Sequence, residues 1–115
     1  PLSDSTRGMV NAELFAAMKP GAIFINGGRG ATVVEQDLLH ALDHGPLRAA
    51  GLDVFATEPL PLESPLRTHP RVTPLPHIGS ATHDTRHAMA ALATTNLLQA
   101  LAGERPAAVY NPVPT

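Results

Sequence analysis

Three side chains able to do ion-pair or proton-transfer chemistry recur at matching places in this sequence. Arg29 follows "AIFIN" in "NGGRG", Asp53 closes "AAGLD", and His77 follows "RVTPLP". An arginine's planar fork suits two-pronged capture of a carboxylate. A histidine, with an unperturbed pKa near ~6.5, gives or takes a proton at neutral pH. Glu58, locked before Pro59, could pair with His77 and keep it protonated. Asp53 needs a partner or a polar ligand, because a lone buried charge is costly. Taken singly, each has a plain explanation: an exposed turn arginine, a structural histidine, a solvated loop acid. Their convergence is the signal.

The elements that must position them follow from the pattern. Apolar residues at Met9, Val10, Leu14, Phe15 and Met18 have helical spacing, with Asn11 as N-cap and Pro20-Gly21 as stop. "AIFIN" (22–26) reads as a strand buried on both faces. "EQDLLHALDHG" (35–45) is an amphipathic helix ending at Gly45, with Thr32 and Glu35 spaced for a capping box. "AAGLDVF" (49–55) is a second buried strand. The proline-rich loop 56–70 is too stiff and broken for regular structure. "RVTPLP" (71–76) is a weaker strand near an edge, since a proline lies inside it. Residues 80–103 form one long helix capped by Thr82, and "ERPAAVYNPVPT" is an extended tail. Alternating apolar strands and helices indicate α/β architecture with a parallel sheet, where ligands gather at the carboxyl ends of strands.

Two competing motifs fail. A dinucleotide fingerprint, G-x-G-x-x-G, would need a third glycine where Gly28-Arg29-Gly30-Ala31-Thr32-Val33 has valine. A phosphate cradle is therefore not expected in this loop. His83 and His87 have the i, i+4 spacing of zinc ligands, but aspartate replaces the motif's glutamate and no third ligand is evident. Two histidines on a solvated helix face and no metal are the expectation, with a metal site as the weaker alternative.

Composition narrows the rest. A formal net charge of -2 across 115 residues gives no general attraction to nucleic acid or an anionic membrane. The absence of cysteine excludes disulfides and thiolate chemistry. No apolar run approaches the ~18–20 residues of a membrane span, and no signal peptide opens the chain. A cytoplasmic protein is expected. A first residue of proline points to a piece of a longer chain.

In that order, "MKPGAIFINGGRG", "AAGLDVFATEPLP", "LPHIGSATHDTR" and "NLLQALAGERP" resemble the C-terminal part of the D-isomer-specific 2-hydroxyacid dehydrogenases, with wording most similar to their glyoxylate/hydroxypyruvate reductase branch. The resemblance spans essentially the whole chain. It implies the C-terminal half of a Rossmann-type, doubly wound parallel sheet with a C-terminal helix and tail. Residues 1–98 would complete the dinucleotide-binding domain, and 99–115 would return to a substrate domain. The family's G-x-G-x-x-G would lie upstream of Pro1. The implied cofactor is NAD or NADP, and the implied partners are a small 2-oxo or 2-hydroxy acid and a second copy in a homodimer. The implied catalytic residues are Arg29 on the substrate carboxylate, His77 as proton donor and Glu58 as its orienting partner. Gly27, Gly28, Asp53, His77, Gly79 and Ser80 would line the cofactor, with Asp53 on the carboxamide. The family often has Thr or Ala where Gly27 and Gly28 stand, and aspartate at Val34. An NAD-sensing corepressor on the same scaffold, or an inert fragment, is the alternative.

Overall fold

The computed structural model describes residues 2–109. The chain forms two compact units, residues 1–79 and 80–115, and the expected domain boundary at 98/99 lies inside the long helix of the second.

Helix α1, Ala12–Ala16, starts where Asn11 places its Oδ1 to accept from the Leu14 N–H (3.1 Å). Strand β1, Ala22–Asn26, leads to a 3₁₀ turn at Gly30–Thr32 and then to helix α2, Glu35–Asp43. Strand β2 is Leu47–Leu52, beginning two residues before the expected start and ending just before Asp53. Strand β3, Val72–Pro74, is short and lies at the edge, as its proline requires. The three strands are parallel in the order β1-β2-β3, with Asn26 opposite Leu52 and Leu52 opposite Pro74. All three therefore end at one side of the sheet.

One face of this sheet is closed. Phe15 meets Phe24 edge-on at 5.3 Å between ring centroids, and Leu38, Leu42, Leu47, Leu52 and Leu66 complete a dry core. Each such fully buried side chain contributes about 1.5–3 kcal/mol.

Three expectations are corrected. β1 is not buried on both faces: Phe24 faces the core, but Ile23 and Ile25 are 51% and 69% exposed. Alternation sends them to the sheet face that α1 and α2 leave open. The loop 56–70 is not wholly irregular, because Pro65 opens a single turn, α3 (Pro65–Thr68). Proline suits a first helical position, where its missing N–H costs nothing. The Thr32–Glu35 capping box does not form. Val34 is the N-cap, with no side-chain cap; the Thr32 hydroxyl donates to the Arg29 carbonyl (2.7 Å) and Glu35 reaches elsewhere.

In the second unit, helix α4 runs His83–Leu101. The Thr82 Oγ1 accepts from the Thr85 N–H (3.2 Å), the expected cap. At its end Gly103 adopts φ 76°, the Gly103 N–H reaches the Ala100 carbonyl and the Glu104 N–H that of Gln99, a Schellman close. The chain then folds back, its Ala107 and Ala108 N–H groups donating to Gln99 and Asn96. The rest of the expected tail, 110–115, lies outside the described residues. No helix among the described residues is long and apolar enough to cross a membrane.

Candidate active site

Parallel register brings Arg29, Asp53 and His77 to the carboxyl ends of β1, β2 and β3, as their positions in sequence predict. The pairing of His77 with Glu58 is present: His77 Nδ1 lies 2.7 Å from Glu58 Oε2. The second oxygen, Oε1, accepts from the Phe55 N–H at 3.0 Å. The hydrogen bond from His77, and after it that from Phe55, holds the Glu58 carboxyl below its ordinary range; partial burial opposes this, and the Arg29 charge adds to it. A carboxylate only accepts, so Nδ1 carries the proton and Nε2 is the ring nitrogen left free.

His77 also stands in the left-handed region, φ 55°, which costs a non-glycine residue on the order of 1–3 kcal/mol. Asp53 holds it there. Its Oδ1 accepts from the Ile78 N–H at 2.8 Å and its Oδ2 from the Gly79 N–H at 2.7 Å. This answers the need for a partner read from the sequence, and it also gives Asp53 a structural task besides the expected cofactor contact. Each oxygen keeps a further lone pair for such a contact. Sequence reading missed the strain, which arises only from how the loop is gripped at both ends.

Arg29 sits on a turn held from beneath by Asn26, a nearly buried residue absent from the sequence-based candidates. Asn26 Oδ1 accepts from the Gly28 N–H (3.0 Å), and Nδ2 donates to the Arg29 carbonyl (3.2 Å). The Arg29 guanidinium donates to the Gly28 carbonyl (2.8 Å) and is otherwise exposed. Gly30 was missed too. A Cβ there would fall 1.8 Å from the Phe55 carbonyl carbon, so the Arg29 turn is pressed against the backbone that leads to Glu58. Its place within G-R-G was the available signal. Gly27 and Gly28 are not sterically required: a Cβ on Gly27 meets nothing within 4 Å, and one on Gly28 meets only Asn26 Oδ1 at 3.5 Å.

Two cavities open here. His77 and Glu58 line a mostly apolar one of about 790 Å³, with Phe55, Leu60, Arg67 and Leu75. Arg29 lines a smaller one of about 270 Å³ with Gly27, Gly28 and Thr32. Arg29 and His77 thus share a sheet edge rather than one cavity wall. The open backbone at Gly27 leaves room for a flat ring, which fits a nicotinamide. Ser80 opens the second unit and is exposed. Among the described residues, no three His, Cys, Asp or Glu side chains converge as metal ligands.

Comparison with known proteins agrees with this arrangement. Residues 1–79 match the family model described as D-isomer specific 2-hydroxyacid dehydrogenase, NAD binding domain. The chain is 54% identical over 112 residues to glyoxylate/hydroxypyruvate reductase B of Escherichia fergusonii, covering 97% of this chain and 35% of that protein. Among solved structures it is similar to the TT0316 protein of Thermus thermophilus (TM-score 0.86, 47% identity, 93% of this chain and 34% of that one). It is also similar to an NADPH-dependent glyoxylate/hydroxypyruvate reductase of Sinorhizobium meliloti solved with NADP and malonate (TM-score 0.80, 44% identity, 88% and 31%). The chain spans about a third of the length of the relatives it matches. With three parallel strands delivering an arginine, an aspartate and a histidine–glutamate pair to one edge, and with that match over most of its length, the chain belongs to the D-isomer specific 2-hydroxyacid dehydrogenases, as part of their NAD-binding domain.

Proposed function

We propose that this chain supplies the catalytic groups of an NAD(P)H-dependent reductase of small 2-oxo acids, of the glyoxylate/hydroxypyruvate type, which yields D-2-hydroxy acids. The observation that carries the reading is the 2.7 Å contact between His77 Nδ1 and Glu58 Oε2, on the sheet edge that also holds Arg29. When bound, the reduced nicotinamide would supply a hydride to the carbonyl carbon; Gly27, Gly28, Asp53, His77 and Gly79 are the residues that would hold it. His77 gives the Nε2 proton to the carbonyl oxygen and is left neutral, its Nδ1–H still bonded to Glu58. Arg29 grips the substrate carboxylate and offsets the negative charge that grows on oxygen, the kind of preorganised help that dominates many such steps. The substrate is a small 2-oxo or 2-hydroxy acid, and the working protein is a cytoplasmic homodimer. Residues 1–98 belong to the dinucleotide-binding domain and 99–115 to the return towards a substrate domain.

The test is Arg29→Lys in the full-length enzyme that carries this chain. One ammonium cannot reproduce two parallel hydrogen bonds, so kcat/KM for glyoxylate falls by roughly 1–3 kcal/mol, the size of a charge-assisted bond. Reduction of glycolaldehyde, which lacks the carboxylate, changes far less. Equal losses on both compounds would mean that Arg29 does not read the carboxylate.

A further inference from the structure

Glu35 leaves its expected capping duty and crosses 21 residues of sequence to accept the Ala56 N–H on Oε1 at 2.8 Å. The peptide it grips is not an arbitrary piece of loop. Gly30, next to Arg29, is pressed against the Phe55 carbonyl and the Ala56 nitrogen from one side. The preceding N–H, that of Phe55, donates to Glu58 Oε1, and Glu58 Oε2 holds His77. Phe55, through the two peptides that flank it, therefore joins the arginine turn, the start of α2 and the acid–base pair.

We infer that Glu35 is a positioning residue for that pair: its carboxylate pins the Phe55–Ala56 peptide and so fixes where Glu58 presents its oxygens to His77. The inference rests on the reading of His77 and Glu58 given under Proposed function. It assigns Glu35 no contact with substrate or cofactor. What Glu35 supplies is an acceptor atom, so glutamine, which keeps a carbonyl oxygen at the same reach, substitutes for it, whereas alanine leaves the Ala56 N–H loose. The charged groups around His77 are Glu58 in contact, Asp53 through the Ile78 and Gly79 amides, Arg67 on the same cavity wall and Arg29, whose charge acts on Glu58. None of these is altered by changing Glu35, so a change at His77 that appears in Glu35→Ala and is absent in Glu35→Gln reports the position of Glu58.

The experiment follows the His77 Nδ1–H proton resonance by NMR in the full-length enzyme that carries this chain. The proteins compared are the unaltered enzyme and its Glu35→Ala, Glu35→Gln and Glu58→Gln variants, with thermal melts of each. Glu58→Gln moves the resonance upfield, since a neutral acceptor makes a weaker hydrogen bond than a carboxylate. Glu35→Ala moves it the same way by a part of that shift, and Glu35→Gln restores it, although both Glu35 variants lose some melting temperature with the helix N-terminal charge. A resonance unmoved in Glu35→Ala but moved in Glu58→Gln would overturn the role of Glu35 and leave the pair intact. Equal shifts in Glu35→Ala and Glu35→Gln would also overturn it, by making charge rather than the hydrogen bond the cause. A resonance unmoved in Glu58→Gln would instead refute the pairing on which the inference stands.

Discussion

Glu58 divides its two oxygens between two tasks, one held by its own loop through the Phe55 N–H and one offered to the ring of His77. The first fixes the carboxylate, so the second is a preset charge beside the imidazole rather than a mobile side chain. Reduction needs a proton on that ring, and the fixed carboxylate holds the ring where Nε2 can give it. Glu58→Gln keeps the shape and removes the charge, so in the full-length enzyme kcat for reduction falls by roughly 1.5–3 kcal/mol of activation free energy, the size of a hydrogen bond to a charged group. KM for glyoxylate changes little, because Glu58 touches the ring and not the substrate. Steady-state kinetics of the two proteins measure both; an unchanged kcat would reduce Glu58 to a loop carboxylate.

Two turns meet at the level of elements, and glycine decides how closely. Gly30 lets the 3₁₀ turn after β1 touch the backbone after β2, where any side chain would overlap main-chain atoms that cannot swing aside. Gly30→Ala should cost about 1–3 kcal/mol or more, the penalty of overpacking. Gly27→Ala, on the same turn but facing open space, should be neutral or gain by about 0.4–1 kcal/mol through a less flexible unfolded chain. Urea unfolding of the two variants of the 115-residue chain separates them. Similar stabilities would show that the Gly30 contact is not a constraint. Beneath the same turn, Asn26 does for the Gly28 and Arg29 backbone what Asp53 does for Ile78 and Gly79: a short polar side chain at a strand end satisfies backbone groups of the loop that follows.

Across the molecule, two carboxylate–histidine contacts link stability to acidity. At the sheet end away from the site, Asp43 Oδ1 lies 3.1 Å from His69 Nε2 and 3.4 Å from Arg71 Nη2. The His69 Nδ1 accepts the Arg71 N–H, which leaves Nε2 to donate and ties α2 to the start of β3. The hydrogen bond from His69, with smaller help from nearby positive charge and against partial burial, holds the Asp43 carboxyl below its ordinary range. Glu58 is lowered as well, by His77 first. A carboxylate with a depressed folded-state pKa adds stability that is complete above its unfolded value, about 4, and is lost as pH falls through the folded value. The melting temperature of the chain should therefore drop from about pH 4 downwards. Asp43→Asn should melt lower at neutral pH and lose less on acidification, and scanning calorimetry at stepped pH measures both. A parallel pH dependence in the variant would remove Asp43 from the account.

The sequence by itself determined the order and class of the strands and of α1, α2 and α4, the Asn11 and Thr82 caps, the edge position of the proline-bearing strand, and the three strand ends where Arg29, Asp53 and His77 stand. Those features depend on neighbours a few residues apart, where periodicity and capping act directly. It also named the His77–Glu58 pair, because a histidine and a locked acid beyond adjacent strands have few other partners. Only the tertiary structure decided the atoms that fix them: Asp53 on the Ile78 and Gly79 amides, Glu35 on Ala56 instead of its own helix, Gly30 against Phe55, and the left-handed backbone of His77. The first three join segments more than 20 residues apart, and parallel strand register sets which atoms meet. That register, together with the uncovered face of β1, is a property of the packed sheet, and no local pattern of residues encodes it.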